Sequence, residues 1–112
     1  MFNDTYKEIK NPTSGLHKEK GSRFISYLFS VYSEQEVKER LEEVKKIEHS
    51  ARHHCYAYII NPDKSLQRAN DDGEPSSTAG KQILGQIKSN DLTNILIIVV
   101  RYFGGIKLGV TG

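Results

Sequence analysis

One loop of this sequence concentrates side chains that could bind a ligand. It covers residues 71–80, and its candidate ligand-binding residues are Asp72, Glu74, Ser76 and Thr78. Hydroxyl groups beside the free amides of a helix start can hold a phosphate, whereas clustered carboxylates repel an anion unless a cation lies between them. A capped helix that follows a tight turn explains the same composition without any ligand. Both interpretations of the loop stay open.

A second candidate site lies near the end of the sequence. Arg101 and Tyr102 end an apolar segment, and Lys107 follows a pair of glycines. Arginine and lysine neutralise phosphates, and an exposed tyrosine stacks on a nucleic-acid base. The glycine spacing does not match G-x-G-x-x-G, and Val110 occupies the position where a Walker motif needs lysine. The segment therefore favours RNA contact over nucleotide hydrolysis, with packing of its aromatic side chains in the core as the structural alternative.

A basic, histidine-rich segment precedes the single cysteine. Arg52 and His53 are candidate ligand- or RNA-binding residues, and His54 and Cys55 follow directly. Because neighbouring side chains on a strand point to opposite faces, His54 and Cys55 cannot act together. One cysteine also lacks the paired spacing of a structural zinc site. The sequence therefore predicts no metal, no cofactor and no catalytic residue.

The overall composition limits the class of protein. The 112 residues have a formal net charge of +2, which is too small to indicate nucleic-acid binding by itself. Cys55 is the only cysteine and the first residues do not resemble a signal peptide, so we expect a reducing, cytoplasmic setting. The longest apolar run, residues 95–100, is far shorter than the roughly twenty residues of a membrane-spanning helix. We expect no membrane association.

The hydrophobic pattern predicts an α+β domain. Alternating or continuous apolar runs predict strands at residues 7–10, 23–31, 55–60, 66–70 and 94–103, with a turn at residues 11–15. One helix is expected after Ser33, which forms a capping-box pattern with Glu36, and a second after the 71–80 loop. Because residues 95–100 are apolar on both faces, the last strand needs cover on both sides. We expect the helices to cover one face, and a partner, further chain or the first strands to cover the other.

Four segments, taken in order, resemble the IMPACT family, whose bacterial members are known as YigZ-like proteins. They are residues 20–25, 51–58, 71–80 and 101–109. The resemblance implies that residues 1–112 form a single amino-terminal domain, similar in fold to domain 2 of ribosomal protein S5. That fold is a two-layer α/β sandwich, with a mixed sheet and helices on one face. In the family a further helix and a ferredoxin-like second domain follow, and this sequence ends before them.

The resemblance also implies a role in translation. The eukaryotic family member acts in translational control, so we expect a non-catalytic binding or regulatory domain that contacts RNA, the ribosome or a translation factor. Two alternatives stay open: an uncharacterised enzyme or phosphate-binding protein that uses residues 72–78, and a protein-interaction domain. The sequence indicates neither a particular ligand nor an oligomeric state.

Overall fold

The computed structural model describes residues 13–19, 22–73 and 79–102. Within these ranges the chain forms five strands and two helices. In chain order they are β1 (Thr13–Glu19), β2 (Ser22–Ser30), α1 (Glu34–Ile47), β3 (His54–Ile60), β4 (Leu66–Asn70), α2 (Ala79–Ser89) and β5 (Ile95–Tyr102). The predicted strand at residues 7–10 and the predicted contribution of Phe103 to the last strand lie outside the described residues.

The strands form one sheet in the order β1-β2-β5-β3-β4. Every described pair of neighbours is antiparallel. The α+β class is therefore confirmed, but the prediction of a mixed sheet is wrong for the described strands. The reason is the path of the chain: α1 connects β2 to β3, which run in the same direction, and β5 inserts between them antiparallel to both.

The two helices pack on opposite faces of the sheet. On one face α1 buries Val37 and Val44 against the even-numbered side chains of β5. On the other face α2 buries Ile83 and Ile87 against the odd-numbered side chains of β5. The prediction that both helices lie on one face is therefore wrong. Each apolar face of β5 is thus partly covered by a different helix. We call the two faces of the sheet the α1 side and the α2 side.

The start of α1 forms as the sequence predicts. Ser33 Oγ accepts a hydrogen bond from the backbone N–H of Glu36 at 3.2 Å. The carboxylate of Glu36 in turn accepts from the backbone N–H of Tyr32 at 2.6 Å. Acidic residues in the first turn and lysines in the last turn match the polarity of the helix dipole. Neither described helix is long and apolar enough to cross a membrane.

Strand β1 was not expected from the sequence. Residues 13–15 have turn-forming side chains, yet they belong to a strand that pairs with β2 along its whole length, from Thr13 opposite Leu28 to Glu19 opposite Ser22. The pairing outweighs the local turn preference because the edge of β2 that faces away from β5 would otherwise be unpaired.

Candidate ligand-binding site at the start of β3

The candidate site lies at the end of the sheet where β3 begins, β4 ends and α2 begins. Tyr56 of β3 pairs with Asn70 of β4, so the residues before β3 lie beside those after β4. The first turn of α2 then approaches the backbone of Asn70 closely. A Cβ atom on Gly80 would lie only 2.7 Å from the backbone nitrogen of Asn70, so this contact requires glycine.

The two aspartates of the loop hold the backbone in place. Asp71 Oδ1 accepts a hydrogen bond from the backbone N–H of Gly80 at 2.6 Å. Asp72 Oδ2 accepts from the backbone N–H of His54 at 2.7 Å. Within the described part of the chain no three acidic, histidine or cysteine side chains are close enough to hold a metal ion. The described acids of the loop thus anchor the starts of α2 and β3.

His53 is fixed in a particular orientation by the same loop. Its Nδ1 atom lies 2.7 Å from the backbone carbonyl oxygen of Asp72. A carbonyl oxygen only accepts hydrogen bonds, so Nδ1 carries the proton and, in the neutral ring, Nε2 carries a lone pair. The ring edge also lies against Gly73, where an added Cβ would be 3.6 Å from Nδ1 and Cε1. The imidazole is half-buried, and its Nε2 makes no hydrogen bond in the described part of the structure.

His54 and Cys55 contribute to the structure rather than to a shared site. His54 is 7% exposed, and its Nε2 donates to the carbonyl oxygen of Glu48 at 3.0 Å. Cys55 is buried on the α2 side, and its thiol donates to the carbonyl oxygen of Asp71 at 3.2 Å. The prediction that these neighbours point to opposite faces is confirmed.

Glu48, just after α1, connects several strands. Its carboxylate accepts hydrogen bonds from the hydroxyl of Tyr27 at 2.5 Å and from that of Tyr102 at 2.6 Å. Burial, together with the hydrogen bond and charge of Glu48, raises the pKa of Tyr27 to about 12. The same causes raise the pKa of Tyr102 still further. Sequence reasoning missed this cluster because its members are 21 and 54 positions apart, and no local pattern connects them.

Arg101 and Tyr102 point to opposite faces because they are neighbours on β5. The ring of Tyr102 is only 7% exposed and belongs to the α1-side core, so it is not free to stack on a base. The guanidinium of Arg101 lies over the ring of Phe24, 5.4 Å from its centre, on the α2 side. Since His54 pairs with Val100, Arg101 lies at the same end of the sheet as His53.

The structure thus brings together part of the predicted site. His53 contacts the backbone of Asp72 directly, and Arg101 lies at the same end of the sheet. Arg52, the residue before His53 in the sequence, is exposed. The remaining predicted residues, Glu74, Ser76, Thr78 and Lys107, lie outside the described residues. The interpretation of residues 72–78 as a phosphate or enzyme site stays a prediction.

Charge is distributed unevenly between the two helices. The eleven residues of α2 include Lys81 and Lys88 and no acid. The fourteen residues of α1 include five acids and four basic side chains. Sequence reasoning did not single out the α2 lysines, although the acid-free stretch from residue 79 to residue 90 is visible in the sequence. Helix α2 therefore carries two net positive charges and helix α1 one net negative charge.

Residues 20–112 match the family model described as the Impact N-terminal domain. The IMPACT family member YvyE of Bacillus subtilis is 48% identical over 91 residues, which cover 81% of this chain and 42% of that protein. The IMPACT family member YigZ of Escherichia coli is 41% identical over 103 residues, which cover 90% of this chain and 50% of that protein. This chain spans about half the length of these curated relatives.

Two solved structures share the fold. A hypothetical protein solved by crystallography superposes with a TM-score of 0.79 at 37% identity, covering 90% of this chain and 50% of that one. The two-domain translational regulator Yih1 superposes with a TM-score of 0.61 at 29% identity, covering 85% of this chain and 36% of that one.

Proposed function

Because this chain belongs to the IMPACT family through its amino-terminal domain, we propose that it acts in translational control as a binding domain. The observation that carries this proposal is the superposition of 85% of the chain on the translational regulator Yih1, at 29% identity. Similarity at that level supports a related role. The partner is inferred from the charged side chains of this protein.

The anchoring role of the acids favours binding over catalysis. The carboxylates of Asp71 and Asp72 accept hydrogen bonds from the backbone N–H groups of Gly80 and His54. These hydrogen bonds engage one oxygen of each carboxylate with the backbone at the starts of α2 and β3. The described acids are therefore suited to shaping the loop.

We propose RNA, free or within the ribosome, as the partner that the α2 side contacts. Lys81 and Lys88 on α2 supply positive charge without neighbouring acids in the helix, and Arg101 adds a third basic side chain on the same side of the sheet. Helix α1, with five acids and four basic residues, is the less favourable of the two helices for contact with phosphates.

Co-sedimentation of the full-length protein with ribosomes and with total RNA tests this function. We expect saturable binding at low salt that weakens steeply as the salt concentration rises, because each neutralised phosphate releases counterions. The absence of saturable, salt-sensitive binding to either target would contradict an RNA-contacting role and would leave translation factors as the partners to examine.

A protein-interaction role is the second candidate, and a different observation supports it. Leu28, Ile97 and Val99 form an apolar strip on the α2 side and remain partly exposed beside α2. Hydrogen exchange of β5 in the full-length protein, with and without a translation factor, tests this candidate. Protection that appears only with the factor would support it, and protection already present in the isolated full-length protein would remove its support.

A further inference from the structure

We infer that His53 contacts the ligand of this domain by accepting a hydrogen bond from a hydroxyl group, which in RNA is the ribose 2′-hydroxyl. The inference rests on the proposed RNA-binding function and adds the chemical group that is recognised. It concerns one atom, Nε2, and one kind of partner, a hydroxyl donor.

The proton position of the ring leads to this role. The Asp72 carbonyl oxygen, 2.7 Å from Nδ1, holds the proton on that nitrogen. The neutral ring then has a lone pair on Nε2, which has no partner in the described part of the chain. An imidazole held in one tautomer by a backbone carbonyl is suited to act through its other nitrogen, because orientation and proton position are both set before the ligand arrives.

The surroundings of the ring favour a hydroxyl over a phosphate as the direct partner. The ring lies against the Asp72–Gly73 backbone, and the Asp72 carboxylate, whose side chain is 38% exposed, accepts from the N–H of His54. A phosphate oxygen carries no proton to give to an Nε2 lone pair, and it would be repelled by the nearby carboxylate. A hydroxyl group donates a hydrogen bond and carries no charge, so it fits both conditions.

The position of His53 also agrees with an RNA ligand that lies along the α2 side. Arg101 is at the same end of the sheet as His53, and Lys81 is in the first turn of α2, whose start is bound to Asp71. Cationic side chains of this kind can neutralise phosphates while His53 contacts a sugar of the same strand. Contacts to the 2′-hydroxyl are the means by which a protein distinguishes RNA from DNA at a given site.

Two substitutions of His53 separate the roles of its two ring nitrogens. In His53→Asn the side-chain amide can replace Nδ1–H as the donor to the Asp72 carbonyl but provides nothing at the position of Nε2. In His53→Gln the amide reaches the position of Nε2 and does not replace the Nδ1 contact. The Asn variant therefore keeps the loop and loses the ligand group, and the Gln variant does the reverse.

The experiment measures the affinity of the full-length protein for an RNA oligonucleotide and for its 2′-deoxy version with uracil retained. We expect the wild type to prefer RNA, and His53→Asn to lower RNA affinity about five- to tenfold with little change for the deoxy oligonucleotide. His53→Gln should retain part of the preference. RNA binding whose preference is unchanged in His53→Asn would overturn the inference while leaving the proposed function intact.

The tautomer can be tested without any ligand. Long-range proton–nitrogen NMR spectra of the full-length protein distinguish an imidazole protonated on Nδ1 from one protonated on Nε2. We expect the neutral His53 ring to carry its proton on Nδ1, and its Nε2 signal to shift when RNA is added. A neutral ring protonated on Nε2 would overturn the inference, and so would the absence of any RNA binding, which would also contradict the proposed function.

Discussion

Gly80 and Gly85 lie in the same helix but in different surroundings. A Cβ on Gly80 would be within 3.0 Å of three backbone atoms of Asn70, whereas a Cβ on Gly85 would meet nothing within 4 Å. We predict that Gly80→Ala lowers the free energy of unfolding by about 1–3 kcal/mol, because backbone must move to relieve the overlap. Gly85→Ala should raise it by about 0.5–1 kcal/mol, since alanine loses less conformational entropy in a helix.

Urea denaturation of both glycine variants measures this difference. Equal changes in the two variants would contradict the close approach of α2 to β4. The comparison also tests the site itself, because that approach brings the start of α2 beside the loop that orients His53.

Asp72 has a structural role that can be separated from its charge. Its Oδ2 accepts the N–H of His54, and its backbone has a φ angle of +49°, which asparagine and aspartate tolerate better than most residues. We predict that Asp72→Ala costs about 1–3 kcal/mol, because it leaves a partly buried N–H without its acceptor. Asp72→Asn should cost clearly less, since the amide oxygen can still accept. Thermal and urea unfolding measure both, and an Asn variant as unstable as the Ala variant would argue that the negative charge matters most.

The sequence indicated the site only in part, for a physical reason. Asp72 and His53 were both candidates because their residue types can bind ligands, but their contact joins positions 19 residues apart. That contact depends on the pairing of β3 with β4, which a local pattern does not specify. Tyr102 was a candidate for base stacking on the assumption of an exposed ring, and burial against Glu48 and the α1-side core removes it.

At the scale of the elements, the polar contacts of α1 determine how it sits on the sheet. Tyr58, near one end of the helix, donates to Glu34 at 2.6 Å, and Tyr27 and Tyr102, near the other end, donate to Glu48. Burial, followed by the hydrogen bond and charge of Glu34, raises the pKa of Tyr58 to about 12. Both ends of α1 are thus held to the sheet by tyrosine hydroxyls that must stay protonated.

These contacts predict a loss of stability at high pH. The pKa of Tyr27 rises from its ordinary value of 10.0 to about 12 in the folded protein. The stabilising contribution is therefore complete below about pH 10 and is lost as the pH rises towards 12. We expect the free energy of unfolding to fall across this range.

Variants of single tyrosines test the source of that loss. Tyr27→Phe should show a shallower fall between pH 10 and 12, because it has no hydroxyl to ionise. Tyr56→Phe is the matched control, since the Tyr56 hydroxyl has no hydrogen-bond partner in the described part of the chain. Chemical denaturation at several pH values measures the slopes. A Tyr27→Phe slope equal to that of the wild type would contradict the proposed coupling to Glu48.

The elements show where sequence patterns predict structure and where they do not. Ser33 and Glu36 determine the start of α1 by contacts within four residues, so the sequence was sufficient there. The face on which each helix packs depends on the path of the chain around β5, and the sequence pattern of an apolar strand is the same for either arrangement. The strand β1 was missed because its pairing with β2 outweighs its turn-like composition.

At the scale of the whole molecule, charge differs between the two helices, which pack on opposite faces of the sheet, although the formal net charge is only +2. The helix on one side has two lysines and no acid, and the helix on the other has five acids and four basic residues. A small net charge therefore does not exclude RNA binding by one face. We propose that the α2 side of this domain contacts RNA.

The most direct test compares matched pairs of exposed lysines on the two helices of the full-length protein. Lys81→Gln with Lys88→Gln removes two charges from α2, and Lys38→Gln with Lys45→Gln removes two from α1. RNA affinity is then measured over a series of salt concentrations. We predict weaker binding for the α2 pair and a salt-dependence slope lower by about 1.4, from roughly 0.7 per phosphate contact on a single strand, with the α1 pair close to wild type. Equal effects from both pairs, or a loss confined to the α1 pair, would contradict RNA contact by the α2 side.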